Sequence, residues 1–183
     1  LDVGYSSNTV GKLTIVDANG NEVKLENYRI AIIKGTLTVT PRPIWVKSAS
    51  ASKVYDGTPL SAGYDYERFN ESGSGLANGH EIEVIITSSL TDVWIIPNTI
   101  DDVIITDSNG NPVTENYVIH KIEGELIVTP RPIKITTASA TKVYDGTPLV
   151  KKDGYSVEKS NTANTRGLVS GHTYELNFTA EAI

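Results

Sequence analysis

The chain contains no cysteine and no methionine, and only two tryptophans and two phenylalanines among its 183 residues. Without cysteine there is no disulfide bond, no thiolate metal site and no cysteine nucleophile. Basic residues are also few, because 16 lysines and arginines stand against 22 acidic residues. No basic patch is therefore available for phosphate, and no nucleic-acid partner is expected.

Long apolar runs are missing as well. No run approaches the roughly 20 residues that span a membrane, and no signal segment opens the sequence, so no membrane insertion is expected in this segment. Because no methionine starts the chain, we expect it to be part of a longer protein. The 39% of hydrophobic residues nevertheless indicate an ordinary globular protein rather than a disordered one.

What the chain has is an internal repeat. Residues 40–60 return at 129–149 with 16 of 21 positions identical and an offset of 89 residues. The turn sequence at 17–21 returns at 107–111, and Asn27-Tyr28 returns as Asn116-Tyr117. Since such periodicity defines the folding unit, one unit contains about 89 residues.

Two Pro-Arg-Pro segments, at 41–43 and 130–132, are predicted to be stiff joints between units. On this interpretation residues 1–41 are the back part of a preceding repeat, 42–130 a complete repeat, and 131–183 the front part of a following repeat. The alternative places the boundary near residue 91 and gives two whole domains, 1–91 and 92–183.

Each unit has the pattern of short β-strands. Ile44, Val46 and Ser48 alternate with Trp45 and Lys47, which is the period of a half-buried strand. The Asn-Gly pairs at 19–20 and 109–110 predict hairpins with type I′ turns. No helical periodicity is found, so the sequence predicts an all-β chain of tandem antiparallel Ig-like β-sandwich repeats, with a β-grasp-like module as the alternative.

The strongest motif is Lys-Val-Tyr-Asp-Gly-Thr-Pro-Leu at 53–60, which is repeated at 142–149. Together with the Gly35–Pro41 and Gly124–Pro130 endings, it resembles the YDG and MBG repeat modules of bacterial surface proteins. The resemblance implies tandem Ig-like repeats in a secreted or wall-attached adhesin or stalk, located outside the cell at the surface of a bacterium.

This motif is interpreted as structural, because Asp-Gly-Thr-Pro is a turn sequence in which the aspartate accepts from backbone amides and the glycine adopts a positive φ. The structural residues assigned to it are Lys53, Tyr55, Asp56, Gly57 and Pro59 in one copy, and Lys142, Tyr144, Asp145, Gly146 and Pro148 in the other.

No cofactor is expected, with calcium as the one metal alternative. Two turns place oxygen-bearing side chains at alternate positions, as calcium loops do, but a plain hairpin turn explains them equally. The candidate ligands are Asp17, Asn19 and Asn21, and Asp107, Asn109 and Asn111. A lysine–asparagine isopeptide bond through Lys53 or Lys142 is a further alternative for a surface repeat.

Candidate binding residues are Trp45, Tyr64 and Tyr155. Trp45 is predicted to face outward, where it would pack against the neighbouring unit or stack on a sugar. Tyr64 and Tyr155 occupy equivalent positions beside the variable loops 66–78 and 155–167.

The sequence carries no nucleophile elbow, paired metal-binding histidines or phosphate loop, so no enzyme activity is expected. The predicted function is that of a structural spacer in a surface or fibrous adhesin. The alternative is a module that binds carbohydrate or a host protein. Neighbouring repeats, or other copies joined head to tail, are the expected partners, with the back part of one chain completing the front part of another.

Overall fold

The computed structural model of the chain describes residues 2–68 and 73–179. The outer ends of the predicted segments 1–41 and 131–183, and part of the predicted 66–78 loop, lie outside these residues. The regular secondary structure of the described residues consists of β-strands and two single-turn 3₁₀ helices, Leu25–Asn27 and Thr114–Asn116. The prediction of an all-β chain is confirmed.

The strands of the described chain are β1 (Gly4–Asn8), β2 (Ile15–Val16), β3 (Glu22–Val23), β4 (Gly35–Val39), β5 (Arg42–Ser48), β6 (Ala51–Val54), β7 (Tyr64–Tyr66), β8 (Glu81–Ile85), β9 (Trp94–Asn98), β10 (Asp102–Thr106), β11 (Tyr117–Ile122), β12 (Gly124–Thr129), β13 (Ile135–Thr136) and β14 (Ser156–Val157).

Contacts between residues divide the chain into two units, each discontinuous in sequence. The first unit comprises Leu1–Trp45, Tyr66–Glu83 and Val103–His120. The second comprises Val46–Asp65, Val84–Asp102 and Lys121–Ile183. This division does not test where one sequence repeat ends and the next begins, so the boundaries at the Pro-Arg-Pro segments stay a prediction.

Residues 42–130, the predicted complete repeat, are called the central repeat below. Its last strand, β12, lies between β6 and β9 in a three-stranded sheet. β12 runs antiparallel to β9, with Gly124 opposite Asn98, and parallel to β6, with Leu126 opposite Ala51. The expectation of purely antiparallel pairing is wrong at this parallel pair. A parallel pair requires a long connection, and about 70 residues separate the two strands.

The remaining strands form one three-stranded and four two-stranded sheets. Their orders are β11-β5-β7, β10-β8, β1-β4, β2-β3 and β13-β14. The β1-β4 pair is antiparallel, with Asn8 opposite Gly35. This is the register of the β9-β12 pair one repeat later, so this strand pair recurs in the structure as well as in the sequence.

All hydrophobic side chains that are buried in the described residues belong to positions 44–128. They are Ile44, Val46, Leu76, Val84, Leu90, Ile100, Val103, Ile105, Tyr117, Leu126 and Val128. The alternation predicted for residues 44–48 is confirmed, because Trp45 and Lys47 are exposed between buried neighbours. Each fully buried aliphatic side chain contributes about 1.5–3 kcal/mol to folding.

Two polar side chains, those of Ser48 and Asn98, are completely buried in this core. The Asn98 amide Nδ2 donates to the carbonyl oxygens of Ala49 at 2.9 Å and Ala62 at 3.2 Å. Ser48 Oγ donates to the carbonyl of Asn98 and accepts from the Gly124 N–H. These bonds tie strands β5, β9 and β12 together where their backbones would otherwise be unpaired.

The hairpin predicted at Asp17–Asn21 is present, but its turn type differs from the expectation. Gly20 has a φ of +82°, whereas Asn19 does not adopt a positive φ. The Gly20 N–H donates to the Asp17 carbonyl, and the Asp17 N–H donates to the Asn21 carbonyl. This is a type I turn followed by a left-handed glycine, so only one left-handed residue is needed and the type I′ prediction is wrong.

Candidate functional site

The Tyr-Asp-Gly-Thr motif closes a turn around one lysine amine. Lys53 Nζ donates to Asp56 Oδ1 at 2.7 Å and to Thr58 Oγ1 at 2.8 Å, and also to the Thr58 carbonyl. Asp56 Oδ1 in turn accepts the Thr58 N–H at 2.9 Å. Gly57 has a φ of +79°. Asp56 and Gly57 thus lie in a turn, and the position of the Lys53 amine at its centre was not foreseen.

These contacts hold the Asp56 carboxyl in its charged form. Its pKa lies well below the ordinary value, because the Lys53 amine and then the Thr58 hydroxyl and N–H donate to the carboxylate. The Asp145 carboxyl of the second copy has a lowered pKa for the same reason, with Lys142 and Thr147 as the donors. Lys53 and Lys142 are thus engaged by the turn; the isopeptide bond stays a hypothesis.

The rest of the motif packs on the core. Tyr55 lies against the buried cluster of Leu90, Leu126 and Val128, together with the side chain of Leu60. Pro59 precedes Leu60, whose backbone pairs in both directions with Leu90. The motif therefore joins the strand β6 to the core through one turn.

The second copy of the motif repeats the turn but not the packing. Lys142 Nζ contacts Asp145 Oδ1 at 2.5 Å and Thr147 Oγ1 at 2.6 Å, and the Thr147 N–H donates to Asp145 Oδ1. Gly146 has a φ of +73°. Pro148, the equivalent of Pro59, follows two residues later. Tyr144, however, is 92% exposed.

The arginine of each Pro-Arg-Pro segment holds a distant loop, which sequence reasoning missed. Arg42 Nε donates to the Gly75 carbonyl at 2.8 Å, and its Nη2 donates to the Ser74 carbonyl. The Gly75 N–H returns a bond to the Pro43 carbonyl. The recurrence of both the arginine and a Gly-Leu pair, at 75–76 and 167–168, is the signal that could have revealed this contact.

Arg131 repeats the contact and extends it. Its Nη2 donates to the Arg166 carbonyl at 2.8 Å and its Nε to the Gly167 carbonyl. Its Nη1 also donates to the Tyr55 carbonyl at 3.2 Å. One guanidinium thus binds backbone on both sides of the predicted joint, which its fixed fork of donors allows and a lysine would not.

The calcium candidates form the hairpin turns described above. Asp17 Oδ1 accepts the N–H groups of Asn19 and Asn21, each at 2.9 Å. Asp107 Oδ1 accepts those of Asn109 and Asn111 at the same distances. These hydrogen bonds lower the pKa of both carboxyls, with Asn21 and Asn111 as the leading causes.

The geometry accounts for these residues as turn formers. Within residues 2–68 and 73–179, no three His, Cys, Asp or Glu side chains come together as a metal site would need. Calcium binding at either turn stays a hypothesis that no contact tests.

Trp45 has a partner that the sequence did not predict. Its ring stacks on the His120 ring, with centroids 4.7 Å apart and an interplanar angle of 17°. Both side chains project from neighbouring strands, β5 and β11, and Trp45 remains 40% exposed. At the equivalent positions Lys134 replaces Trp45 and Ala31 replaces His120, so this stacked pair belongs to the central repeat alone.

The two candidate tyrosines have different surroundings. Tyr64 borders a shallow cavity of about 370 Å³ with Lys47, Ser50 and Asp65. Tyr155 instead packs on Phe178, with ring centroids 5.5 Å apart. The structure therefore does not give the two copies a common aromatic surface.

A tyrosine and a histidine that recur together form a hydrogen-bonded pair in the central repeat. The Tyr117 hydroxyl lies 2.7 Å from His80 Nδ1 and accepts the Ala77 N–H at 3.1 Å. Tyr117 is buried. The pair fastens the loop before β8 to β11, and its recurrence as Tyr28 and His172 was the signal for it.

The polar groups described above are thus engaged in turns, loop contacts and strand pairing. Among the described residues, no helix has both the length and the hydropathy of a membrane span. No protein-family model matches the chain, and neither a curated protein nor a solved structure shows significant similarity to it.

Proposed function

We propose that the chain is a non-catalytic structural repeat that acts as a spacer or stalk in a bacterial surface or fibrous adhesin. The observation that carries this proposal is the repeated architecture. The pairs β1-β4 and β9-β12 share one register over five residue pairs, from Gly4 opposite Val39 to Asn8 opposite Gly35. A repeat used for length must preserve its fold from copy to copy, whereas it needs no repeated reactive group.

The hydrogen bonds of the repeated polar residues support the non-catalytic part. Lys53 with Asp56, Arg42 with the loop at 74–75, and Asp107 with Asn111 all stabilise backbone geometry. A catalytic acid or base is instead held near substrate with a pKa suited to its task. The aspartates with shifted pKa values all have lowered values, because hydrogen bonds stabilise each of them as a carboxylate.

The joint supports the mechanical part of the proposal. Arg131 binds the Tyr55 carbonyl before the joint and the Arg166 carbonyl after it. With the prolines on either side, this arginine limits rotation between successive repeats. The finer fold, an Ig-like sandwich with the β-grasp-like alternative, and the extracellular location follow from the sequence motif and are part of the same proposal.

Single-molecule force spectroscopy tests the spacer function. Additional copies of residues 42–130 would be inserted in tandem at the Pro-Arg-Pro joint of the full chain. Each added 89-residue unit should give one unfolding event with a contour length on the order of 300 Å, since an extended residue spans about 3.3–3.6 Å. Substituting Leu126→Glu in one added unit should remove one event. A chain that extends without force peaks would contradict the proposal.

The stacked Trp45–His120 pair favours a binding module as the second candidate. An exposed aromatic ring held flat by a neighbour suits stacking on a carbohydrate ring, and Tyr64 stands beside a cavity. A glycan array probed with the full chain would test this function. Saturable binding that is lost in Trp45→Ala but retained in the control Trp94→Ala, which alters a more exposed tryptophan, would establish it over the spacer.

A further inference from the structure

The Tyr-Asp-Gly turn of the central repeat, residues 55–57, contacts a loop that lies beyond the second Pro-Arg-Pro segment. The Tyr55 ring faces the His172 ring, with centroids 6.1 Å apart and an interplanar angle of 46°. A Cβ added at Gly57 would lie 3.5 Å from Val169 Cγ1 and 3.9 Å from His172 Nε2. These are ordinary van der Waals distances, so the turn and the loop lie against each other. The contact joins the central repeat to the repeat predicted to follow it.

The contacted loop, residues 168–172, is itself a repeated element. It is equivalent to residues 76–80, and both segments end in Gly-His, so we call them the Gly-His loops. In the central repeat Tyr117 fastens this loop, because its hydroxyl lies 2.7 Å from His80 Nδ1. In His172 it is the other ring nitrogen, Nε2, that faces the Tyr-Asp-Gly turn. The histidine of a Gly-His loop therefore has one nitrogen for its own repeat and one for the repeat before it.

A second contact crosses the first Pro-Arg-Pro segment. Asn116 Oδ1 accepts the Val3 N–H at 2.8 Å, and Asn116 Nδ2 donates to Asp2 Oδ1 at 3.0 Å. One side-chain amide of the central repeat thus binds two successive residues of the predicted preceding repeat. The Asp-Val pair recurs at 92–93 and the asparagine recurs as Asn27. The residues for this contact are therefore present in each repeat.

The Tyr-Asp-Gly turn and the Asp-Val pair of the central repeat lie at the same end of one sheet. Tyr55 follows β6 directly, and its N–H donates to the Thr129 carbonyl at the end of β12. Residues 92–93 directly precede β9, whose first residue, Trp94, lies opposite Val128 of β12. The turn and the Asp-Val pair thus flank the last two residues of β12, one on either side.

The elements that these two segments contact also lie together within a repeat. Asn116 immediately precedes Tyr117. The Tyr117 hydroxyl binds the Gly-His loop through His80 Nδ1 and the Ala77 N–H. The asparagine that is contacted at one joint and the loop that is contacted at the other therefore belong to one surface. The two joints show two parts of a single interface.

From this arrangement we infer that successive repeats bind each other through one two-part interface. The Tyr-Asp-Gly turn and the Asp-Val pair of one repeat dock on the Gly-His loop and the asparagine of the next. The Tyr-Asp-Gly motif is thus a recognition element for the neighbouring repeat as well as a turn. The bonds of Asp56 to Lys53 and Thr58 hold its backbone in place before docking. The partner of the loop at 76–80 is then a Tyr-Asp-Gly turn of the repeat before it.

This interface rests on the tandem repeats of the proposed spacer and names the surfaces by which they adjoin. In repeat proteins, contacts between neighbours add to the stability of each repeat. The interface and the spacer function nevertheless fail separately. Force peaks of inserted units would persist if the joints were free to rotate, and a docked joint would survive if single units unfolded without force peaks.

Engineered disulfides test the contact at the second joint, since the chain has no cysteine of its own. Gly57→Cys with Val169→Cys should form an intramolecular bridge in the full chain, which mass spectrometry of a non-reduced digest detects. The control is Gly146→Cys with Val169→Cys, which has the same left-handed strain, although no atom lies within 4 Å of a Cβ at Gly146. The control should oxidise about tenfold more slowly, because a bridge needs Cβ atoms about 3.5–4.5 Å apart. Equal rates would overturn the contact.

A chain with one additional copy of residues 42–130, inserted after residue 130, tests whether every joint uses this interface. Gly57→Cys in the first copy and Ala77→Cys in the second copy should bridge, since Ala77 is the equivalent of Val169. The control places both substitutions in the second copy, where the interface predicts no bridge between them. A bridge in neither chain, or one that forms as fast in the control, would overturn the inference.

Asn116→Asp tests the second part of the interface. It keeps an acceptor for the Val3 N–H but sets a second carboxylate against Asp2. Hydrogen exchange of the Val3 amide should become about tenfold faster, as a loss of about 1.4 kcal/mol in local stability produces. Adding Asp2→Asn restores a donor opposite the carboxylate and should return the exchange rate to that of the unaltered chain.

The control for this variant is Asn27→Asp, which changes the equivalent, exposed asparagine and should leave the Val3 exchange rate unaltered. An unchanged rate in Asn116→Asp, or a faster rate that Asp2→Asn does not restore, would overturn the two-part interface.

Discussion

Leu126 and Leu37 occupy equivalent positions in two equivalent antiparallel strand pairs, β9-β12 and β1-β4. Leu126 is nevertheless fully buried, whereas Leu37 is 53% exposed. Leu126 lies opposite Ile96 and packs with Leu90 and Val128. Identity, secondary structure and register agree, so the difference in exposure comes from the neighbours: Leu37 lies opposite Ser6 instead of an isoleucine.

Replacement of either leucine by alanine should lower the free energy of unfolding, but by different amounts at the two positions. Leu126→Ala should lower the free energy of unfolding by about 2–5 kcal/mol, because it removes buried methyl groups and leaves a cavity. Leu37→Ala should change it by less than about 0.5 kcal/mol in the monomer, as surface substitutions do. Urea titrations followed by tryptophan fluorescence measure both, since both tryptophans lie in the central repeat. Equal costs would show that β4 is covered in the monomer.

The same comparison shows which features the sequence could predict. The Lys53–Asp56–Thr58 turn forms in both copies because its bonds span at most five residues, and local sequence is enough to specify them. The strand at 51–54 is different, since residues 140–143 have nearly the same sequence and form no strand. A strand depends on its partner, and the partner of β6 is about 70 residues away.

In the candidate site, the Arg42 contact is likewise a contact between distant parts of the chain that local sequence does not predict. Nothing near Pro41–Pro43 reveals that the guanidinium binds the Ser74 and Gly75 carbonyls more than 30 residues away. The Trp45–His120 stacking could not be predicted from the sequence either, because neither residue recurs in the other copy. The order of strands that brings the two rings together is a tertiary property.

Gly75 and Gly110 should respond differently to alanine although both have a φ near +80°. At Gly110 nothing lies within 4 Å of an added Cβ, so Gly110→Ala should cost only the left-handed strain of about 1–2 kcal/mol. At Gly75 the Cβ would lie 2.1 Å from the Arg68 carbonyl oxygen. Gly75→Ala should therefore lower the free energy of unfolding clearly more than Gly110→Ala does, or prevent folding of the central repeat. Thermal unfolding by circular dichroism compares them, and equal midpoints would contradict the steric argument.

Asp56 should make stability depend on pH in the acidic range. The Lys53 amine, with Thr58, holds the Asp56 pKa well below its ordinary value, so the unfolded chain takes up the proton first. The contribution of the Asp56 carboxylate to the free energy of unfolding is then fully present above the pKa of aspartate in the unfolded chain, about 3.9. It is lost as the pH falls toward the pKa of Asp56 in the folded chain. Unfolding of the unaltered chain and of Asp56→Asn should differ by a constant amount between pH 5 and 8. This difference should shrink below about pH 4.

Thr58→Val is the companion variant for the Asp56 turn. It removes the hydroxyl donor while keeping the Lys53 amine, so the carboxyl pKa should rise from its lowered value without reaching the ordinary one. Carbon-detected NMR titration of the Asp56 carboxyl measures this directly. An unchanged titration would show that the Thr58 hydroxyl does not stabilise the carboxylate.

Arg131 should not be replaceable by lysine. Its three nitrogens donate to separate backbone carbonyls, including those of Tyr55 and Arg166, and a single ammonium cannot span them. Arg131→Lys and Arg131→Gln should both speed amide hydrogen exchange at Gly167 and Leu168, whose N–H groups donate to the Pro132 and Glu158 carbonyls. Exposed Arg29 provides the control, where Arg29→Lys should leave these rates unchanged. Retained protection in Arg131→Lys would show that charge alone is sufficient.

Substitution of Asn98 should reduce stability strongly, whereas substitution of its equivalent Asn8 should have little effect. The buried Asn98 amide donates to the Ala49 and Ala62 carbonyls, and Asn98→Ala would leave both without that donor. An unsatisfied buried acceptor costs about 1–3 kcal/mol, so the loss should reach several kcal/mol in urea titrations. Asn8 is exposed, and Asn8→Ala should have little effect on the monomer. Equal losses in Asn98→Ala and Asn8→Ala would contradict the argument that burial makes Asn98 sensitive.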